Sequence, residues 1–302
     1  MVTAPPPQRE HSKPSQPDDV PAAKGSALSP GLYLVATPIG NLEDLSPRAV
    51  RVLQGVDRIL CEDSRVTGRL LQACGSDRPL WRYHEHNAER ARPEVLAALD
   101  RGERLALVSD AGTPLISDPG FKLVREARDR GHAIIPIPGP SALLAALVVS
   151  GLPTDRFFFQ GFLPAKAAAR DKVLRELAPL RATLVLFESA KRAEATLLAA
   201  AAVLGARPAC LARELTKTFE EVRTGELAEL ARSCAMDPPR GEVVLVIGGA
   251  TTAATLDDAA IDAALEEALQ RLPPSEAARE VAALTGHKRQ DLYKRALALQ
   301  SS

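Results

Sequence analysis

Residues 105–120 read LALVSDAGTPLISDPG, a short apolar run followed by a loop dense in glycine, proline and aspartate. The run Leu105–Ser109 predicts a buried strand, because short apolar runs bounded by turn residues are typical of strands covered on both faces. Open α/β sheets bind ligands at the loops that follow the carboxyl ends of their strands. Glycine lets the backbone approach a ligand closely, and aspartate supplies carboxylate acceptors. The loop Ser109–Gly120 therefore predicts a site for a nucleoside-like ligand, with a plain connector as the alternative.

Similar apolar runs recur on both sides of this loop. Helical stretches alternate with them, and Ser46 followed by Pro47 is a typical helix start. The alternation predicts the α/β fold class with two α/β domains, whose sheets are at least partly parallel. The other predicted strands are Leu32–Ala36, Arg58–Glu62 and Ala133–Ile137, and, after the break at Gly151-Leu152-Pro153, Phe157–Gln160, Thr183–Phe187, Ala209–Ala212 and Val243–Ile247.

Changes in composition mark the domain boundaries. Residues 1–30 are rich in proline, serine and charge without an apolar run, which predicts a disordered tail and no signal peptide. Residues 31–153 and 154–250 form the two predicted α/β domains. A Thr/Ala-rich linker at Gly249–Thr255 then leads into the purely helical residues 256–302.

The helical end has the layout of a helix-turn-helix. Ser275 is the predicted cap of a helix Glu276–Leu284, the turn contains Gly286, and a second helix Lys288–Leu299 follows. The basic residues of the second helix, Lys288, Arg289, Lys294 and Arg295, could contact phosphates. A helical hairpin with a solvated basic face fits the spacing equally well.

The composition limits the partners and the compartment. The 38 Lys and Arg residues balance 38 Asp and Glu residues, so nucleic acid can be bound only by local patches. The longest apolar runs are far shorter than the roughly 20 residues that span a bilayer. The four cysteines form no C-x-x-C pair, which indicates free thiols and a cytoplasmic protein that does not bind a membrane.

Several function classes lack their motifs. No Walker-type phosphate loop occurs and no G-x-G-x-x-G follows the first strand, which excludes kinases and classical dehydrogenases. His84 and His86 would share a strand face, yet no third ligand is clustered with them, so we expect no metal site.

Three further loops have unusual composition: Thr37–Ser46, Cys61–Arg65 and Pro138–Ser141. In this order the loops resemble the tetrapyrrole-methylase family of methyltransferases, from about Leu32 to Ile247. The motifs that carry the resemblance are Thr37–Leu42, Glu62–Arg65, Val108–Gly120, Gly161–Pro164 and Ala212–Lys217.

Within this family the chain is similar to the branch that methylates the ribose 2′-hydroxyl of a decoding-region cytidine in small-subunit (16S) ribosomal RNA. Family members that act on tetrapyrroles typically have a G-x-G-P-G-type turn after the first strand, where this chain has Ala36–Asn41. The resemblance implies two α/β domains with the cofactor in the cleft between them, usually a homodimer, and a C-terminal helix-turn-helix.

The resemblance also implies S-adenosylmethionine as the cofactor, held by residues of both domains. The predicted cofactor-binding residues are Ile39, Asp110, Gly112, Thr113, Ile116, Ser141, Ala142, Phe187, Ala212 and Gly241.

A sulfonium methyl group is already activated, so the protein has mainly to align the acceptor hydroxyl and exclude water. A nearby base would help by taking the hydroxyl proton. The candidates are Asp63, Glu62 and Lys217, and the alternative for the two carboxylates is a local ion pair with Arg65 that orders the loop.

Arg65, Lys191 and Arg192 are candidates for RNA contacts, with an ordinary solvated pair as the alternative for the last two. Tyr83 or Phe219 could stack on an extruded base. Two other functions remain open: methylation of a tetrapyrrole or other small molecule, and a non-catalytic assembly factor that binds ribosomal RNA.

Overall fold

The structure is a computed structural model that describes residues 27–250, 258–285 and 287–300. Most of the predicted tail 1–30, most of the predicted linker and Gly286 of the predicted turn lie outside the described residues. Leu28, which the prediction assigned to the tail, packs against the core of the first domain beside Gly55.

The first domain is a parallel five-stranded sheet with helices on both faces. The strand order is β3-β2-β4-β1-β5, so β1 and β4 lie at its centre. Its elements are β1 (Gly31–Val35), α1 (Pro47–Gly55), β2 (Arg58–Cys61), α2 (Ser64–Ala73), β3 (Leu80–Arg82), α3 (Ala88–Asp100), β4 (Arg104–Val108), α4 (Phe121–Asp129), β5 (Ile134–Ile137) and α5 (Ala142–Val149).

Alternate side chains along these strands point to opposite faces and build two separate cores. On one face Val35, Ile59 and Val108 pack against α1 and α2, and on the other Leu32 and Leu105 pack against α3 and α4. The central strands are therefore buried on both faces, as expected for parallel sheets.

The second domain is a mixed sheet of five strands in the order β6-β7-β10-β8-β9, in which only β6 and β7 run parallel. Three of its helices cover one face. Helix α5 of the first domain covers the other face, where Ala146 and Leu147 contact Val185 and Val244. Its elements are β6 (Phe157–Phe162), α6 (Ala167–Leu177), β7 (Thr183–Ser189), α7 (Ala193–Leu204), β8 (Pro208–Arg213), β9 (Glu221–Glu226), α8 (Leu227–Met236) and β10 (Glu242–Ile247).

The C-terminal segment contains α9 (Asp258–Leu269), α10 (Pro274–Thr285) and α11 (Arg289–Gln300). These helices share a small apolar core that includes Leu265, Val281 and Leu292. Arg295 pairs with Asp262 across that core, so its guanidinium group holds α11 to α9. No helix within the described ranges is both long and apolar enough to cross a bilayer.

The α/β fold class and every predicted strand are confirmed, each to within two residues at either end. The predicted start of α1 is also confirmed, since Ser46 Oγ accepts a hydrogen bond from the Ala49 N–H at 3.1 Å. Sequence reasoning missed β3 and β9. Both are edge strands, and they lack a continuous apolar run because they are only partly buried.

Candidate functional site

A cavity of about 450 Å³, the main cavity, lies where the loops of the two domains meet. The first domain contributes the loop after β4, from Asp110 to Asp118, and the start of α5. The second domain contributes the end of β7 and the start of β10. The Gly/Pro/Asp loop predicted to bind a ligand therefore faces the cleft between the domains.

Hydrogen bonds hold three first-domain loops together at this cavity. Thr37 and Gly112 exchange two backbone bonds of 2.9 and 3.0 Å, which join the loop after β1 to the loop after β4. Thr113 Oγ1 donates to the Pro140 carbonyl at 3.1 Å and adds the loop before α5. Gly112 has φ = +83°, a conformation that side chains rarely adopt.

Backbone strain is concentrated in two loops beside this cavity. Four non-glycine residues in the described part of the chain have positive φ: Leu115, Ser117, Glu214 and Thr216. The first two belong to the loop after β4, and the last two to the loop after β8. Such conformations cost free energy and are often kept at ligand sites.

Nine of the ten predicted cofactor residues line the main cavity: Ile39, Asp110, Gly112, Thr113, Ile116, Ser141, Ala142, Phe187 and Gly241. The tenth, Ala212, is fully buried on β8, opposite Val244 of β10 in the sheet. Val244 lines the cavity, and Ala212 packs within the apolar cluster next to it.

Asp118 lines the same cavity. It was not among the predicted site residues and appeared only within the predicted ligand-binding loop. Burial raises the pKa of Asp118 to about 6, and the charge of Glu62 adds to the rise, while a hydrogen bond with Ser109 opposes it. The predicted residue Glu62 is exposed, is absent from the cavity wall and acts on Asp118 through its charge. The signal for Asp118 in the sequence was its place in the Ser117-Asp118-Pro119-Gly120 turn.

Asp63 caps α2 and pairs with Arg65. Its Oδ1 accepts the Arg65 backbone N–H at 2.8 Å, and its Oδ2 lies 2.6 Å from the Arg65 guanidinium. The hydrogen bonds from Arg65 hold the pKa of Asp63 well below its usual range, which makes this carboxylate a weak proton acceptor. The geometry matches the alternative considered from the sequence, a local ion pair that orders the loop.

Lys217 lies between two carboxylates, 3.0 Å from Glu214 and 2.7 Å from Glu242. Burial lowers the pKa of Lys217, but hydrogen bonds to Glu242 and Glu214 outweigh burial and raise it. The amine is therefore charged, which argues against Lys217 as a neutral base. Its stem packs against Gly40 so closely that a Cβ added there would lie 2.2 Å from Lys217 Cγ. The lysine thus joins the second domain to the loop after β1.

Arg192 is only partly exposed, and its guanidinium contacts groups of the second domain. Its guanidinium donates to the Leu163 carbonyl at 2.8 Å. The same group lies 3.2 Å from the carboxylate of Glu188, which is only 3% exposed. Glu188 also accepts hydrogen bonds from Ser189 N–H and from the Thr196 hydroxyl. This geometry favours a structural role for Arg192, which pairs with a buried carboxylate at the cavity wall, and the predicted RNA contact stays a prediction.

The other predicted RNA contacts are exposed: Arg65, Lys191, Lys288 and Arg289. Arg65 shares its charge with Asp63, and Arg289 is 3.5 Å from the Ser275 carbonyl. Tyr83 cannot stack on a base, because it is 1% exposed within the core under α3. Phe219 is exposed.

Residues 31–231 match the family model described as Tetrapyrrole (Corrin/Porphyrin) Methylases. The chain belongs to the tetrapyrrole methylase family. Residues 255–300 match a second model, described as the RsmI C-terminal HTH domain. The predicted family and the predicted helix-turn-helix segment are both confirmed by these matches.

Among its relatives is a protein of Mesorhizobium japonicum named ribosomal RNA small subunit methyltransferase I. It is 50% identical over 91% of this chain and 94% of its own length. A relative of the same name from Xylella fastidiosa is 49% identical over 88% of this chain and 98% of its own length.

Solved tetrapyrrole methylases share the fold. The uroporphyrin-III-C-methyltransferase of Thermus thermophilus superposes with a TM-score of 0.51 at 24% identity, covering 72% of this chain and 92% of that one. This family membership makes the protein an S-adenosylmethionine-dependent methyltransferase.

The main cavity fits that cofactor. Its volume lies in the range of roughly 300–1,000 Å³ typical of small-molecule sites. Ile39, Ala142 and Val244 supply apolar walls, while carboxylates such as Asp110 and Asp118 favour a ligand that carries a sulfonium and an ammonium charge. Because Gly112 has no side chain, a ligand can come close to its backbone. A Cβ at this position would lie 3.4 Å from Ile39 and would occupy part of that space.

Proposed function

We propose that this protein transfers the methyl group of S-adenosylmethionine to the 2′-hydroxyl of a cytidine ribose in the decoding region of small-subunit (16S) ribosomal RNA. The observation that carries the proposal is half identity to a ribosomal RNA small subunit methyltransferase I over nine-tenths of both chains. The C-terminal helices support it, because residues 255–300 match the model described as the RsmI C-terminal HTH domain.

When bound, S-adenosylmethionine supplies an activated methyl group. The protein residues would align the acceptor oxygen with it and keep water out. Asp118 is the best-placed proton acceptor, because it lines the main cavity and is partly removed from water. With a pKa of about 6 it is ionised at neutral pH yet more basic than an ordinary aspartate, as general-base catalysis requires. Asp63 and Lys217 would then act by ordering the loops around the site.

Exposed cations would hold the RNA backbone. Lys191 follows the end of β7, which lines the main cavity, and Lys288 and Arg289 lie at the start of α11. Arg65 is 84% exposed despite its pairing with Asp63 and remains a candidate. Phosphate contacts of this kind position a substrate without reading its bases.

A homodimer would cover an apolar face of α5. Leu144, Val148 and Val149 are all exposed there, Val148 to 70%. Isolated exposed apolar residues are common, but three on one short helix favour a contact with a second copy. Sedimentation of wild type and Val148→Lys tests this: a lysine there should shift the protein toward monomer.

A ribosomal substrate would place the protein in the cytoplasm, where its four free cysteines stay reduced.

The function is tested by mapping 2′-O-methylation of 16S ribosomal RNA from cells with and without this protein. We expect one cytidine to lose its methyl group in the deletion strain. Purified protein and labelled S-adenosylmethionine should restore it, and naked RNA and assembled subunits are compared as substrates. Identical methylation maps in the two strains would refute the proposal. Label transfer to a tetrapyrrole without RNA would favour small-molecule chemistry, and subunit binding without label transfer would favour an assembly factor.

A further inference from the structure

A second cavity of about 220 Å³ lies beside the main cavity and has no role in the site described so far. The loop after β1, the helix α2 and the end of β4 form its walls. Asp110 is the one residue that lines both cavities.

The loop after β1 is the partition between the two spaces. Pro38 and Gly40 face the second cavity, whereas Ile39 between them faces the main cavity. The Thr37–Gly112 backbone bonds hold this partition against the loop after β4, and Thr37 Oγ1 adds a bond of 3.1 Å to the Ser109 carbonyl. The two cavities therefore meet at Asp110.

The second cavity also has polar groups in its wall. Thr67 is 2% exposed and lines this cavity, and its hydroxyl lies beside the buried thiol of Cys61. Asp110, just after β4, adds a carboxylate to the same wall. The wall therefore combines a few polar groups with apolar ones, as is typical of sites for small ligands.

The remaining walls suit a flat heterocycle. Leu42, Val66 and Leu70 supply aliphatic surface for the faces of a ring. Arg69 stands at the same wall, is exposed, and forms no ion pair with the described residues. A guanidinium group in that position can stack on a base or meet its phosphate.

We propose that the second cavity binds the base of the acceptor nucleotide, extruded from the RNA, while its ribose lies at Asp110 with the 2′-oxygen in the main cavity. This inference rests on the proposed function, since it assigns a place to that substrate. The cavity, at about 220 Å³, has room for a single-ring base. Enzymes that modify a nucleotide commonly take it out of the stack in this way.

Asp110 stands where the ribose would lie. It accepts the Asp63 N–H through Oδ1, and its Oδ2 makes no hydrogen bond with the described residues, so one oxygen is free to accept from a ribose hydroxyl.

The test uses full-length variants and small subunits from a strain that lacks the methylation. Val66→Trp fills the cavity from its rim, and Arg69→Gln removes the cation. Arg90→Gln is the matched control, because Arg90 is an exposed arginine of α3, on the opposite face of the sheet. Calorimetry gives the cofactor Kd of each variant, and thermal unfolding checks that each is folded.

We expect Val66→Trp to lower kcat/KM for the subunit at least about tenfold, and Arg69→Gln severalfold, with the cofactor Kd unchanged. Unchanged kcat/KM for Val66→Trp and Arg69→Gln, with wild type active, would overturn the base pocket and leave the function standing. Failure of wild type to methylate any RNA would overturn both.

Discussion

The backbone N–H of Asp63 donates a hydrogen bond to Oδ1 of Asp110 across 3.1 Å. The bond ties the loop after β2 to the loop after β4, although the two residues are 47 positions apart. Asp63 in turn is held by Arg65, so a surface ion pair and the wall of the main cavity are mechanically connected. This connection explains why the acidic pair Glu62-Asp63 can matter for the site without lining the main cavity.

Asp110→Ala removes the acceptor of that bond and a carboxylate that both cavities share. Hydrogen bonds to charged groups contribute about 1.5–3 kcal/mol, so we expect the cofactor Kd to rise roughly ten- to hundredfold. Calorimetric titration with S-adenosylmethionine measures it. Asp129→Ala, at an exposed aspartate of α4, should leave the Kd unchanged. Equal affinity of Asp110→Ala and wild type would remove Asp110 from the cofactor site.

Asp118→Asn removes the proposed proton acceptor with little change in shape. The single-turnover rate should fall by about 10²–10⁴, the usual contribution of general-base catalysis. The wild-type rate should rise with pH through an apparent pKa of about 6, and this limb should vanish in the variant. A retained limb in Asp118→Asn would assign the titration to another group.

The same carboxylate should affect stability. Its pKa in the folded protein is raised to about 6, above the value of an unfolded aspartate, so folding favours the protonated form. The stabilisation by this group is present below the unfolded pKa and is lost as the pH rises through about 6. Asp118→Asn should therefore melt at a higher temperature than wild type at neutral pH, with a smaller difference in acid. A variant that melts lower at neutral pH would contradict the burial of this charge.

Comparing Arg192→Ala with Lys191→Ala distinguishes the structural role of Arg192 from the proposed RNA contact of its neighbour Lys191. Loss of Arg192 leaves Glu188 buried without its cation, so the free energy of unfolding should fall by about 2–4 kcal/mol. Lys191→Ala should change it by less than about 0.5 kcal/mol, because that side chain is solvated. Urea unfolding measures both. If Lys191 contacts RNA, its variant should raise KM for the subunit while the cofactor Kd stays constant.

The double variant Lys288→Gln/Arg289→Gln tests the C-terminal helices. If both cations meet phosphates, the slope of log kcat/KM against log salt concentration should become shallower by roughly two. The cofactor Kd should not change, since neither residue lines the main cavity. The matched control replaces Arg51 and Arg90, two exposed arginines of the first domain, with glutamine. An unchanged slope in the C-terminal variant would mean that Lys288 and Arg289 are solvated and do not contact RNA phosphates.

The amino-acid sequence by itself determined the two α/β domains, the strands and the loops that meet at the cleft. Central strands such as β4 are buried on both faces, and their apolar runs and the turn residues after them are local features of the chain. The edge strands β3 and β9 were not predicted, because a partly buried strand does not need a continuous apolar run.

Only the tertiary structure decided what the individual polar side chains do. Asp118 owes its raised pKa to burial and to Glu62, which follows a different strand, and Arg192 turns inward to Leu163 and a buried glutamate. The second cavity exists because Thr67 of α2 comes to lie beside Asp110. Charge, burial and cavities depend on neighbours far away in sequence, and no local pattern encodes those neighbours.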